Sequence, residues 1–456
     1  MNDRNGPIFW NGQYHMFFQF NPNAAVWGDM HWAHAMSPDM LHWQHLPVAL
    51  APTPGGYDSE GCFSGSAVND NGVATFIYTG VKTVSPQQAT LRDGTHNFLE
   101  VQCLATSADE DLQTWHKREQ PVLLPPKDSK LAGFRDPCLW REGNIWFMGI
   151  GSGLKGEGGS VLLYRSKNLR AWEYLHPLAK GRRNDRETSD PVDAGEMWEC
   201  PDFFSLGNKH VLLYSTERKV YWESGTFDPK ALVFHSEKRG LLDHGSLYAP
   251  KSQLDAKGRR ILWGWIPETR PETEFRAAGW AGCMSLPRAL SLSEDGVLQM
   301  SVVPEVSELW ESQLPPLTIR KPASLDRLRQ MEWTNAPTEI AIRWGVKPQH
   351  FRVTDGAGDF FALAFEPNRS GQALQIGSPS SPVNLPGTVD GKHYATILLD
   401  GSVAQCFVDG RLAWTTRRYY APRRKLRVEV PEEEVFNLEA LDIWRLKPIS
   451  GDGLTS

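Results

Sequence analysis

A turn glycine leading into an apolar strand recurs five times in the first two thirds of the chain, and no other feature restricts the fold as much. The series is NGQYHMFFQF at Gly12, NGVATFIYTG at Gly72, EGNIWFMGIG at Gly143, LGNKHVLLYS at Gly207 and KGRRILWGWI at Gly258. A short apolar segment precedes each one (PIFW, GSAV, PCLW, PDFF and the less apolar APKSQL), so each glycine reads as a β-hairpin tip. A second marker follows three of the hairpins: SPDMLHW ending at Trp43, SADEDLQTW at Trp115 and SKNLRAW at Trp172. Its Ser-x-Asp or Ser-x-Asn turn takes one strand in and lets another out. The unit is then about four strands in roughly 50 to 70 residues, the pattern of a β-propeller blade, and five units predict a five-bladed β-propeller over residues 1–305.

Pro304, Pro315, Pro316 and Pro322 interrupt this pattern, so residues 306–324 read as a linker that starts as a short helical stretch, VSELWES. Beyond it EIAIRW, DFFALAFE, YATILLD, SVAQCFV, RLAWTT and LRVEV alternate as strands, and a β-sandwich over residues 325–450 is expected. The fold class is therefore all-β, a five-bladed propeller followed by a C-terminal β-sandwich.

Seven to nine residues upstream of the hairpin glycines lie Asp3, Ser64, Asp136, Glu199 and Ala249. Equivalent blade positions share a radius and a height about a propeller axis, so Asp3, Asp136 and Glu199 are expected to meet at one end of the channel. Carboxylates crowded out of water are costly, which marks the cluster as functional. Two of them flanking a bond supply an acid and a nucleophile for glycoside cleavage, and a third can bind substrate hydroxyls. The chain has 18 Trp, and Trp27, Trp32, Trp198, Trp265 and Trp280 are candidate walls for a sugar, with blade core as the commoner use of such residues.

Other partners and cofactors are not expected. A net charge of -6 with no basic run longer than Arg423-Arg424-Lys425 speaks against nucleic acid or an anionic membrane. No window of about 18 uncharged apolar residues predicts a membrane-spanning helix. The six cysteines are widely spaced, without a CxxC pair, and read as buried free thiols. The pairs His31/His34 and His42/His45 have a spacing that suits a helix better than the strands expected here, so neither a metal nor another cofactor is expected.

The ordered motifs resemble those of glycoside hydrolase family 32, the invertases, levanases and inulinases. MNDRNGP resembles the family's Asn-Asp-Pro-Asn-Gly signature; FFQFNP with WGDMHWAHAMSPDMLHW, FSGSA, FRDP, WECPDFF, ILWGWIPE and GWAGCMSLPRAL resemble its later blocks in order. The resemblance implies a five-bladed propeller followed by a β-sandwich. It implies Asp3 as nucleophile, Asp136 as transition-state stabiliser and Glu199 as general acid/base, with Asn2, Gln19, Trp27, Ser64 and Arg135 lining a fructose subsite. Arg4 stands where the family has Pro, which removes a restraint on Asp3 and is expected to set a cation beside it. Gln405 in LLDGSVAQCFVDG stands where the family has Glu.

The expected activity is retaining hydrolysis of terminal non-reducing β-D-fructofuranosyl residues of sucrose, levan or inulin. Fructosyl transfer on the same site, and a catalytically weak fructan-binding propeller, are the alternatives. The family carries further residues before the first motif. The chain as written, without a signal peptide, reads as cytoplasmic, and as secreted or periplasmic if an export signal precedes Met1. Oligomeric state has no signature in the sequence.

Overall fold

The hairpins expected from the repeat are all present, and their five tip glycines, Gly12, Gly72, Gly143, Gly207 and Gly258, have φ between 58° and 92°, a region open to glycine at little cost. The structure is a computed structural model describing every residue except 93, 128–129, 314–327, 329, 335, 356–357, 369–370, 378–381, 386–387, 389, 420–424 and 450–456. The chain divides into two compact units, Met1–Val303 and Pro304–Ser456. Both are built of antiparallel sheets, and the protein is all-β, consistent with a β-propeller and a β-sandwich.

Among its described residues the first unit contains five sheets. Sheet one orders its strands as Arg4–Trp10, Gln13–Phe20, His31–Ser37 and Gln44–Leu50. Sheet two runs Gly61–Asp70, Val73–Thr83, Asn97–Ser107, Leu91–Arg92; sheet three Leu131–Glu142, Ile145–Leu154, Gly158–Ser166, Glu173–Lys180. Sheet four runs Glu199–Leu206, Lys209–Thr216, Lys219–Asp228, Val233–Leu241; sheet five Tyr248–Leu254, Arg260–Ile266, Arg288–Leu292, Leu298–Val302. Each first strand lies against the first strands of two other sheets, and that of sheet five lies against that of sheet one.

The second sequence marker folds the same way three times. Asp39, Asp109 and Asn168 accept hydrogen bonds from backbone N–H groups two to five residues ahead. Met40, Leu112 and Leu169 take positive φ. The Trp43, Trp115 and Trp172 indoles then donate back to the carbonyls of those same three residues at 3.0, 2.7 and 3.1 Å. Sheet four makes the turn at Asp228 and Leu232, where φ is 59°, without a tryptophan to close it.

One feature went unforeseen in the sequence: every first strand carries a β-bulge, three to six ladder pairs before its hairpin tip. Two residues of the first strand face one of its partner between Asn5 and Ile8, Cys62 and Gly65, Arg135 and Cys138, Glu199 and Asp202, and Tyr248 and Lys251. The bulged pairs are Gly6-Pro7, Phe63-Ser64, Asp136-Pro137, Cys200-Pro201 and Ala249-Pro250. Proline suits the second place because a bulge needs no ladder N–H there. The N–H at the first place is caught by a side chain of the preceding sheet in three cases: Asp136 N donates to Thr79 Oγ1 at 2.9 Å, Cys200 N to Asp136 Oδ2 at 3.0 Å, and Ala249 N to Ser215 Oγ at 3.2 Å.

In the second unit all six expected strand segments lie on strands of two six-stranded sheets. Their facing sides bury Trp344, Phe351, Phe365, Ile397, Trp414 and Ile443 in one core. The stretch expected as linker is structured where it is described: Pro304–Leu309 forms a 3-10 turn, and Trp310–Gln313 pairs with Leu438–Leu446. The rest of that stretch, 314–324, lies outside the described residues.

Arg4 does not set a cation beside Asp3. Its side chain is fully buried, with the guanidinium 3.9 Å over the Trp263 ring, and its three nitrogens lack a hydrogen-bond partner among the described residues. A cation–π contact offsets only part of the cost of desolvating a guanidinium. Arg4→Met, which keeps the volume and drops the charge, is expected to raise unfolding free energy by about 1–3 kcal/mol in a denaturant titration.

Candidate active site

The bulges decide which side chains converge. By register Glu199 is equivalent to Arg135 and Tyr248, whereas Asp136 is the first bulged residue and Ser64 a second one. Asp3 precedes the first bulge by three residues. The three carboxylates therefore do not share one place in the repeat, contrary to the sequence expectation. They nevertheless meet, with the Cys200 thiol between Asp3 and Asp136 and Arg135 between Asp136 and Glu199.

Asp3 is held from both sides. Its backbone continues the ladder, with Gln19 N donating to Asp3 O at 2.9 Å and Asn2 N to Gln19 O at 3.0 Å. Gln19 Nε2 donates to Ser64 Oγ at 2.9 Å, and Ser64 Oγ donates to Asp3 Oδ2 at 3.0 Å. The Cys200 thiol lies 3.6 Å from that oxygen and 3.5 Å from Asp136 Oδ2, bridging two acids. Burial first, then Asp136 and Asp3, raise the Cys200 thiol well above its usual range, so it stays a donor.

Glu199 is bound at both oxygens. Arg135 donates to Oε1 from Nη2 at 2.8 Å and from Nε at 3.3 Å, and the Tyr248 hydroxyl donates to Oε2 at 2.7 Å. The other arm of Arg135 donates to Glu100 Oε1 at 2.8 Å. Glu100 is fully buried and also accepts from Thr90 Oγ1 at 2.8 Å and Phe134 N at 2.7 Å. Burial works against the Arg135 charge, but Glu100, Glu199 and Asp136 outweigh it and raise its pKa well above normal.

Asp3 and Asp136 are both harder to ionise than free carboxyls. Burial, then the negative charges of Asp136 and Glu199, push Asp3 up to about 7, against the hydrogen bonds from Ser64 and Cys200. Burial pushes Asp136 up to about 6; Arg135 opposes the shift and Glu199 adds to it. Acids this close titrate as a set and share protons near neutrality.

Of the expected substrate contacts, Gln19, Ser64 and Arg135 are inside this network. The Asn2 Oδ1 atom is buried without a hydrogen-bond partner among the described residues, an acceptor left over for a hydroxyl. Trp27 is 52% exposed, with its ring edge-on to Phe63 and His96. Trp265 is half-buried and edge-on to Tyr248 at 6.4 Å. Trp32 and Trp198 are core residues at 0% and 5% exposure, and Trp280 is faced by the Arg270 guanidinium.

His34 is bonded to His15 at 2.9 Å in the core, and His31 to the Asp29 carbonyl at 2.7 Å. Cys62, Cys103, Cys138, Cys200 and Cys406 are buried, and Cys283 is half-buried. Glu100, Tyr248 and the bridging role of Cys200 were missed in the sequence. The one available signal was the run of residue-Pro pairs marking the bulges, since Glu199 and Tyr248 both stand just before one.

Comparison with known proteins makes the protein a glycoside hydrolase. Residues 1–301 match the model of the glycosyl hydrolases family 32 N-terminal domain. The chain belongs to glycosyl hydrolase family 32. It is 40% identical over 380 residues to a sucrose-6-phosphate hydrolase of Escherichia coli, covering 78% of this chain and 73% of that one. It is 36% identical over 457 residues to a raffinose invertase of Escherichia coli, covering 92% and 87%. Among solved structures it is similar to a Bombyx mori GH32 β-fructofuranosidase, with a TM-score of 0.79, 27% identity, and coverage of 98% of this chain and 92% of that one.

A carboxyl with a raised folded-state pKa keeps a proton that the unfolded chain has already released. Between about pH 4 and pH 7 Asp3 therefore makes stability fall as pH rises, and above that window its full cost is present. Asp3→Asn is expected to raise the melting temperature at pH 8 by roughly 3–6 °C and to change it little at pH 4, as read by calorimetry.

Proposed function

We propose that the protein is a retaining exo-β-fructosidase that hydrolyses the terminal β-D-fructofuranosyl bond of sucrose and related fructosides. The observation that carries this is one network of hydrogen bonds and an ion pair joining Asp3, Asp136 and Glu199 in a chain of this family. The similar proteins named above, a sucrose-6-phosphate hydrolase, a raffinose invertase and a β-fructofuranosidase, support the substrate class. The five sheets are read as the blades of a five-bladed propeller, with residues 1–305 the catalytic domain and 325–450 the sandwich domain.

In the proposed reaction an Asp3 carboxylate oxygen attacks the anomeric carbon of the fructosyl ring. The glycosidic bond breaks with its electron pair on the leaving oxygen, which takes the proton of Glu199. Water then attacks the same carbon and gives its proton to Glu199, and Asp3 leaves as a carboxylate, so configuration is retained. Asp136 and Arg135 accept and donate hydrogen bonds to ring hydroxyls, and Asn2, Gln19 and Ser64 complete that side of the sugar. Trp27 and Trp265 supply apolar surface. The network supports this chemistry because one thiol bridges Asp3 and Asp136, and Arg135, beside Asp136, fixes Glu199 in the same cluster.

Glu199→Gln is expected to lower kcat/KM for sucrose by at least about a thousandfold, measured by fructose release, with the fold intact by circular dichroism. A variant that keeps more than a tenth of the activity would sink the assignment. Asp136→Asn removes a negative charge that raises Asp3. Its residual activity, lower by about 10²–10³, is expected to have an acid limb at lower pH than that of the parent.

A further inference from the structure

The residues that bring Glu199 into place are not confined to its own strand. Residues 181–198 form a long connection whose last member precedes Glu199, and it is pinned from below by sheet four. Thr216 Oγ1 lies 3.0 Å from both Val192 O and Met197 O, and Glu217 N donates to Val192 O at 3.2 Å. Val192, Ala132 and Met197 pack into a small apolar cluster beneath the connection. Trp198 N donates to Ser152 O at 3.1 Å.

The two-residue turn that follows Thr216 is unusual. Glu217 and Arg218 join Lys209–Thr216 to Lys219–Asp228 with φ of 55° and 61°, a conformation in which hairpins ordinarily place Asn-Gly. Two bulky charged residues are strained there, and strain of this kind persists where other contacts hold it. The contacts are those two side chains. Asn184 Nδ2 donates to Glu217 Oε1 and, at 2.8 Å, to Asp193 O. Tyr221 donates to Glu217 Oε2 at 3.1 Å. Arg218 forks onto Asp193 with bonds of 2.8 and 3.2 Å. The turn thus grips both ends of the connection that leads into the acid.

We propose that the Glu217–Arg218 turn is a positioning element that holds the 181–198 connection so that Glu199 is aimed at the leaving oxygen. The inference rests on the fructosidase reading and assigns no contact with substrate to the turn. A misdirected acid harms a substrate whose leaving group needs protonation and spares one whose leaving group departs as a stable anion.

The test compares kcat/KM for sucrose with kcat/KM for a p-nitrophenyl β-fructofuranoside. Glu217→Asn/Arg218→Gly installs the preferred turn sequence, so the hairpin keeps its shape and loses the grip. This double variant is expected to lose roughly tenfold or more on sucrose and less than about threefold on the aryl fructoside, with an unchanged or higher melting temperature. Glu217→Gln, whose amide oxygen still accepts from Asn184 and whose amide nitrogen can donate to the Tyr221 hydroxyl, is expected to keep both values near those of the parent. Asn184→Ala cuts the same grip from the other side and is expected to show the same split. Equal losses on both substrates, or none, in the double variant or in Asn184→Ala, whichever melts as the parent does, would overturn the proposal. A parent protein that turns over neither substrate would overturn the fructosidase reading beneath it, a distinct result.

Discussion

The cluster of buried acids depends on one buried guanidinium. Arg135 reaches Glu100 on one side and Glu199 on the other, with Asp136 beside it, so three acids from three sheets are balanced by one cation. Without it, Glu100 would be a fully desolvated charge with only a hydroxyl and an amide to bind it, a cost of several kcal/mol. Arg135 also explains why Glu199 is fixed while Asp3 is not neutralised: the fork ends on Glu199, and Asp3 receives only hydroxyl and thiol donors. Asp3 is left the less compensated of the two, and burial with the charges of Asp136 and Glu199 pushes its carboxyl up towards neutrality.

The bulges convert a regular repeat into an irregular site. Five sheets of near-identical pairing would present identical positions in a ring, and an extra residue in each first strand lets neighbouring side chains be aimed separately. The same bulges tie sheets together, because the N–H freed at Asp136, Cys200 and Ala249 finds its acceptor on the sheet before. Placement of the acids and inter-sheet cohesion therefore share the same few atoms.

Much of this was legible in the sequence. Turn glycines, the Asx-and-Trp turns and the alternating strands of the second unit are local signals, and local signals survive in a one-dimensional reading. The acids Asp3, Asp136 and Glu199 were legible as a group because each precedes a hairpin by a similar distance. Their equivalence was misread, because counting back from a hairpin tip assumes one common ladder, and the bulge stands three pairs from the tip in sheet one but five in sheets three and four. Glu100 was invisible for a different reason: it lies on a strand whose pattern is ordinary, and its meaning comes from a partner on another sheet. Arg4 showed as a departure, but a change of residue does not say which way a side chain turns.

The tryptophan-closed turns of the first three sheets have a bearing on how the protein breathes. Each indole bonded to a carbonyl three residues back acts as a rivet on the turn that leaves the third strand, away from the first strands that carry the acids Asp136 and Glu199. Sheet four has the turn without the rivet, and its fourth strand, Val233–Leu241, is largely exposed. Slow opening of the native protein should then begin at that margin and cost the catalytic centre nothing, since its strands lie at the opposite edge of the same sheets.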